Sequence, residues 1–138
     1  MKTCLVCGKE PKRPFYKYCS NKCQSIDRYK RYIEKWRLGL TDGSRGIVTK
    51  NISGHLKRYL TEKFGETCSI CGWNKKHPIT NRVPLEIDHI NGASEDNREE
   101  NLRLICPNCH SLSPHFRNLN RGNGRTWRTA KYLKNQYQ

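Results

Sequence analysis

Apolar residues recur at Ile26, Tyr29, Ile33 and Trp36, a spacing that predicts a helix. The run Tyr18-Cys19-Ser20-Asn21-Lys22-Cys23 opens it, with Ser20 or Asn21 as the cap. Its other face carries Arg28, Lys30, Arg31 and Lys35. A second stripe, Leu56, Tyr59, Leu60 and Phe64, predicts a core-packed helix from Ser53 to Phe64, capped by Ser53 and stopped by Gly65. The period then changes from helical to alternating. Val83 to Ile90 reads as a strand, Asn91-Gly92 signals a turn, and Asn101 to Ile105 reads as a short returning strand. From Asn108 to about Phe116 the chain reads as helix. Between these elements, Gly39 to Asn51 has the Gly/Ser/Asp content of a linker. Thr129 to Gln136 could form a short helix in the tail. The expected architecture is a small α+β protein in four stretches: 1–38, 39–66, 67–118 and 119–138.

The pattern is too thin to hold itself together. Only 34% of the 138 residues are hydrophobic and 28% are charged. A chain this short and polar buries little apolar surface and needs another source of stability. Eight cysteines supply a candidate: Cys4-x2-Cys7, Cys19-x3-Cys23, Cys68-x2-Cys71 and Cys106-x2-Cys109. Four close pairs make two Cys4 sets, as in two structural zinc sites. A disulfide framework is the other reading. The N-terminus lacks the apolar stretch of a secretory signal, so an intracellular, reducing setting is expected, with zinc supplying folding energy. Cys4 to Cys7 reads as a knuckle, and a knuckle followed by a helix carrying the second pair resembles a treble-clef finger.

Charge then narrows the partner. Lys and Arg number 27 against 12 Asp and Glu, a formal net charge of +15. Two thiolate-zinc sites near −2 each would leave about +11. Such a surface favours a polyanion, above all nucleic acid. The helix face with Arg28, Arg31 and Lys35 is either solvated or set against phosphates. The tail places Arg121, Arg125, Arg128 and Lys131 among Trp127, Tyr132 and Tyr137, and is expected to grip phosphates. No apolar run is long enough to span a membrane, and no membrane partner is expected.

The chemistry is expected between the second set's pairs, where 34 residues (72–105) stand and a simple ribbon needs far fewer. This insert holds Asp88-His89 and Asn101, and His110 follows Cys109 directly. In this arrangement the chain resembles the zinc-bearing subgroup of the HNH endonucleases. The resemblance rests on Glu86-Ile-Asp-His-Ile-Asn-Gly and Glu100-Asn-Leu-Arg-Leu-Ile-Cys-Pro-Asn-Cys-His-Ser111. It covers about Cys68 to Phe116, and implies a ββα-metal motif stapled by the second zinc site. The finger and basic tail are similar, more loosely, to phage HNH endonucleases of the homing type. Phosphodiester hydrolysis needs an activated water, neutralised phosphate charge and a stabilised leaving oxygen. His89 can serve as general base, because imidazole titrates near neutrality. Asp88 and His110 offer an oxygen and a nitrogen to one divalent ion and leave its other positions open. Asn101 is expected to hydrogen-bond the region around His89 and fix its ring orientation. The resemblance implies Mg²⁺ in most members, with Mn²⁺ or Ni²⁺ accepted, and products with 5′-phosphates.

Two points complicate this expectation. Neighbouring residues of a regular strand point to opposite faces, so the chain is expected to bend at Asp88-His89 if both serve one site. Four residues beyond His110, where some members carry a third metal ligand, stands Pro114, leaving His115, one off the helical register, as a phosphate contact or bystander, with a third-ligand role the lesser alternative. Glu86 reads as a strand-edge residue. The expected partner is double-stranded DNA, nicked by a monomer, with double-strand cutting needing a homodimer or two successive events. The expected setting is the host cytoplasm, if a phage encodes the chain. The competing function is a non-catalytic double zinc-finger module binding DNA or RNA. Charge and cysteines serve both; Asp88, His89, Asn101 and His110 together separate them.

Overall fold

Helix α1 (Asn21–Arg37) forms where the apolar spacing places it, and a computed structural model of the chain shows why it starts and stops. The structure describes residues 2–46 and 51–121. Ser20 is the cap: its hydroxyl accepts a bond from the Cys23 backbone N–H at 3.3 Å. Lys35 and Arg37 in the last turn complement the negative end of the helix dipole. Tyr29, Ile33 and Trp36 are buried together with Cys23, while Ile26 is half-buried. Each such side chain contributes roughly 1.5–3 kcal/mol when removed from water. Most of the stability of such a helix comes from what packs against its apolar stripe. Before it, the chain makes a tight turn at Cys4–Cys7, with Gly8 N–H on the Cys4 carbonyl and Cys4 N–H on the Lys9 carbonyl. The basic loop that follows returns beside this turn, where Leu5 N–H meets the Lys17 carbonyl. These elements make up the first of two compact units, residues 1–41.

The second unit, residues 42–138, contains helix α2 (Gly54–Phe64), strands β1 (Glu86–His89) and β2 (Leu102–Ile105), and the short helix α3 (Pro107–Ser111). Ser53 caps α2 and Gly65 ends it at φ +78°, a conformation glycine adopts without strain. β1 and β2 run antiparallel in the register Glu86 to Ile105, Ile87 to Leu104, Asp88 to Arg103 and His89 to Leu102. A lone two-stranded hairpin is marginal in water. Here α2 backs β2 and α3 lies against β1. Leu56, Leu60 and Ile105 are completely enclosed, with Val83, Leu85, Leu102 and Leu104 completing the core. Ser69 N–H bonds to the Leu104 carbonyl at 2.9 Å and ties the Cys68 turn to β2.

Three expectations need correction. The first strand starts at Glu86 rather than Val83, because Glu86 faces Ile105, the last residue before β2 turns into Cys106. Val83 and Leu85 alternate inward without a ladder partner in β2. α3 ends at Ser111 rather than near Phe116. Pro114 has no N–H to continue the helix and disfavours helical backbone at Ser113. Arg117 then takes φ +48° and starts a separate 3-10 turn over Arg117–Asn120. Phe64 is 60% exposed and does not join the α2 stripe in the core. The predicted tail helix and the tail residues Arg125, Trp127, Arg128, Lys131, Tyr132 and Tyr137 lie outside the described residues. Among the described residues, no helix is long and apolar enough to cross a membrane.

Candidate metal centres and catalytic site

Both cysteine sets assemble. The Sγ atoms of Cys4, Cys7, Cys19 and Cys23 lie within 4.8 Å of one another, and so do those of Cys68, Cys71, Cys106 and Cys109. Their spacing identifies what they are built for. A tetrahedral ion with metal–thiolate bonds of about 2.3 Å places its sulfurs about 3.8 Å apart. Cys7 and Cys19 stand 3.4 Å apart, Cys19 and Cys23 3.6 Å, Cys7 and Cys23 3.8 Å, and Cys71 and Cys106 3.8 Å. A disulfide needs about 2.05 Å, and all eight cysteines are free. The donor sets therefore fit a metal ion and not a disulfide framework.

The electrostatics point the same way. The backbone N–H of Cys7, followed by those of Val6 and Cys19, brings the Cys4 thiol down to about 6. Burial opposes ionisation of Cys68, yet the N–H groups of Cys71, Cys106 and Ile70 bring it down to about 6 as well. Burial, and then the neighbouring sulfurs of Cys71 and Cys106, push Cys109 up to about 12. Four crowded thiols resist full ionisation until a cation balances them, and a divalent ion does that. Cys19 stands just before α1 and Cys23 in its first turn. Cys106 caps α3 and Cys109 lies within it.

The predicted catalytic residues gather around β1. Asp88 and His89 are its last two residues, and both lie inside the paired strand. The expected bend at the pair is therefore absent. The chain turns after it, at Ile90 to Gly92, where Gly92 N–H bonds the His89 carbonyl at 2.9 Å. Gly92 has φ +76°, and a Cβ there would stand 2.5 Å from the His115 ring. Asp88 is 5% exposed, and its Oδ2 accepts from Arg103 Nε at 2.7 Å across the strand pair. Glu86 lies two residues earlier, on the same face as Asp88. His110, projecting from α3, hydrogen-bonds Glu86 through Nδ1. Nδ1 is thus engaged and Nε2 is the remaining ring nitrogen. Phe116 packs edge-on against the His110 ring, with centroids 5.4 Å apart. Asp88, Glu86 and His110 therefore share one side of β1.

His89 faces the other side. Its Nε2 lies 2.7 Å from Asn97 Oδ1. Asn97 is buried, and its amide Nδ2 donates to the Asp42 backbone carbonyl at 3.0 Å. Asn101, also buried, holds the loop after His89 rather than the ring. Its Oδ1 accepts from Asn91 N–H at 3.0 Å, and its Nδ2 donates to Asn91 Oδ1 and to the Asp96 carbonyl. Asp96 ties the same loop: Arg98 Nε and Nη2 each donate to it at 2.8 Å and Asn91 Nδ2 at 2.9 Å. The Arg98 guanidinium, and then Asn91, hold the Asp96 carboxyl far below the ordinary range.

Sequence reasoning missed three of these side chains: Asn97, Arg103 and Glu86 as a partner of His110. His115 packs over Gly92, with its backbone N–H on Ser113 Oγ. On α1, Arg28, Lys30, Arg31 and Lys35 are all exposed, and Arg31 pairs with Asp27 at 2.7 Å. Arg121 is exposed.

The chain's sequence is similar to that of known proteins. Residues 68–113 match the family model described as HNH endonuclease. The chain is similar to the H-N-H endonuclease F-TflIV of Escherichia phage T5, at 38% identity over 109 residues. That match covers 78% of this chain and 44% of the phage protein. It is also similar to Zorya protein ZorE of Escherichia coli, at 32% identity over 76 residues, or 51% of this chain and 20% of that protein. The chain thus spans less than half the length of the curated relatives it matches. No solved structure matches. The resemblance drawn from Asp88-His89, Asn101 and His110 is borne out by the matched segment, which contains all four residues.

Proposed function

With residues 68–113 as an HNH segment, we propose that this chain is a metal-dependent DNA endonuclease in which His89 is the general base. One observation carries the reading. Asp88, Glu86 and His110 converge on one face of β1, while His89 is held at the end of the same strand on the other face. In-line displacement at phosphorus places the attacking water and the leaving oxygen on opposite sides. His89 ends β1 and the chain turns away at Ile90 to Gly92, so a phosphate set at that strand end can be approached from both faces. His89 takes the proton from water on one side. Asp88 and His110 Nε2 would hold the divalent ion on the other, the carboxylate oxygen suiting Mg²⁺ or Mn²⁺ and the imidazole suiting Ni²⁺. The ion, when bound, neutralises phosphate charge and stabilises the departing 3′ oxygen. Glu86 fixes the His110 ring through Nδ1. Arg103, beside Asp88, adds positive charge next to the phosphate.

Both cysteine sets are assigned Zn²⁺, and the first unit is read as a treble-clef-like finger. Arg28, Arg31 and Lys35 on α1, with Arg121 and the tail residues Arg125, Arg128 and Lys131, are assigned to DNA phosphates. The homing type is our reading, supported by similarity to a phage H-N-H endonuclease. Its setting is then the host cytoplasm. A single site nicks, and double-strand cutting takes a homodimer on DNA or two successive events.

The test is cleavage of supercoiled plasmid with Mg²⁺ or Mn²⁺, with and without EDTA, beside His89→Ala. General-base removal is expected to slow nicking by about 100- to 10,000-fold with zinc content and DNA binding unchanged. Metal-independent nicking, or full activity in the variant, would overturn the assignment. An inert wild-type protein that binds DNA would favour the non-catalytic zinc-finger module.

A further inference from the structure

The catalytic reading needs one nitrogen of His89 to be a free base, and the fold decides which. Neutral imidazole carries one N–H and one lone pair, and its hydrogen-bond partners select between them. The partner of Nε2 is Asn97 Oδ1, at 2.7 Å. An amide can turn over and present its NH2 instead, which would reverse the roles. Here it does not, because Nδ2 faces the backbone carbonyl of Asp42 at 3.0 Å. A carbonyl only accepts, so the amide nitrogen must face it and the amide oxygen must face His89. Asn97 is 5% exposed, which makes a reversed amide costly: it would set two oxygens against each other inside the protein. Asn101 is committed elsewhere, to Asn91 and to the Asp96 carbonyl.

We propose that Asn97 is a positioning residue that fixes His89 as the Nε2–H tautomer, leaving Nδ1 as the basic nitrogen, and that the Asp42 carbonyl fixes Asn97. Asp42 stands 55 residues earlier in the chain, at the first position of the second unit. The proton-accepting nitrogen is thus specified from outside the β1–β2 segment, by a main-chain group that no side-chain substitution removes. The proposal rests on His89 as general base for its use in catalysis. The tautomer itself stands apart from that reading.

The experiment is long-range ¹H–¹⁵N NMR of the full-length, zinc-loaded protein at alkaline pH, where imidazole is neutral. His89→Gln identifies the resonances of His89. Wild-type protein is expected to show Nε2–H alone. Asn97→Ala is expected to show a mixture of tautomers and a fall in kcat of about 10- to 100-fold, with KM for plasmid within about twofold. Asn97→Gln keeps an amide oxygen for His89 and an NH2 for the Asp42 carbonyl and is expected to keep Nε2–H and most of kcat, while the near-isosteric Asn97→Leu, expected to behave as Asn97→Ala, covers the case in which the alanine variant fails to fold. An Nδ1–H wild type, or an Asn97→Ala protein with unchanged tautomer and kcat, overturns the proposal. A wild type that shows Nε2–H, loses it in Asn97→Ala and cuts no DNA supports the tautomer assignment while sinking the nuclease reading.

Discussion

Glu86 shows how much of a site depends on pairs rather than on single residues. On its own it is an acid on a strand edge; in the fold it fixes His110. Glu86→Ala should free that ring and weaken divalent-ion affinity by about 10- to 100-fold, the usual effect of losing the partner behind a histidine ligand. Nicking measured against Mg²⁺ concentration would then shift to higher concentration with little change at saturation. An unchanged curve would remove Glu86 from the site. Asp96 makes a separate prediction in pH. Arg98 and Asn91 depress its folded pKa, so its contribution to stability is full above the unfolded value of about 4. That contribution is lost as pH falls from there toward the folded value. The wild-type melting temperature should therefore drop below about pH 4 more steeply than that of Asp96→Asn. Parallel curves would mean that the Asp96–Arg98 pair adds nothing. Asp88, His89, Asn101 and His110 were legible as residues because their spacing is local and their chemistry distinctive. Asn97 and Arg103 were not, since Asn97 meets Asp42 only once the chain has folded. Arg103 meets Asp88 only in the register that pairs those two positions.

At the scale of elements, the turn after β1 carries the tightest constraint. Gly92 combines φ +76° with a virtual Cβ 2.5 Å from His115 and 2.7 Å from Asn120 Oδ1. Gly92→Ala should cost roughly 1–3 kcal/mol, from backbone strain and the displaced ring together. Thermal melting would report the loss. Nicking should fall further than melting alone explains, because the turn follows His89 directly. A variant as stable and active as wild type would show that the turn tolerates a side chain. The sequence signalled this turn through Asn91-Gly92, and both long helices through their caps and stripes. Strand ends were less legible: Val83 alternates correctly but has no partner once β2 bends into the Cys106 site. The length of α3 was overread because the pattern past Ser111 is still helical, whereas Pro114 withholds the N–H a helix needs.

For the whole molecule, the cores are small and each contains cysteines. Cys4 and Cys23 are buried in the first unit, and Cys68 and Cys106 in the second. Strong chelation should release two zinc ions per chain and abolish cooperative melting of both units, with the released metal read by a chromogenic dye. A chelated protein that keeps its melting transition would return the cysteines to a minor role.

Cys109 and His110 are consecutive residues of one short helix. An ion closing the cysteine cluster would therefore also aim the imidazole proposed for the divalent site. On that proposal the two metals would act as a logical conjunction, in a fixed order. A chain whose cysteine cluster is still empty would then present His110 poorly to the divalent ion proposed for Asp88, whatever that ion's concentration. On the proposed nuclease reading, such a chain would acquire its cutting activity only after the first ion is in place.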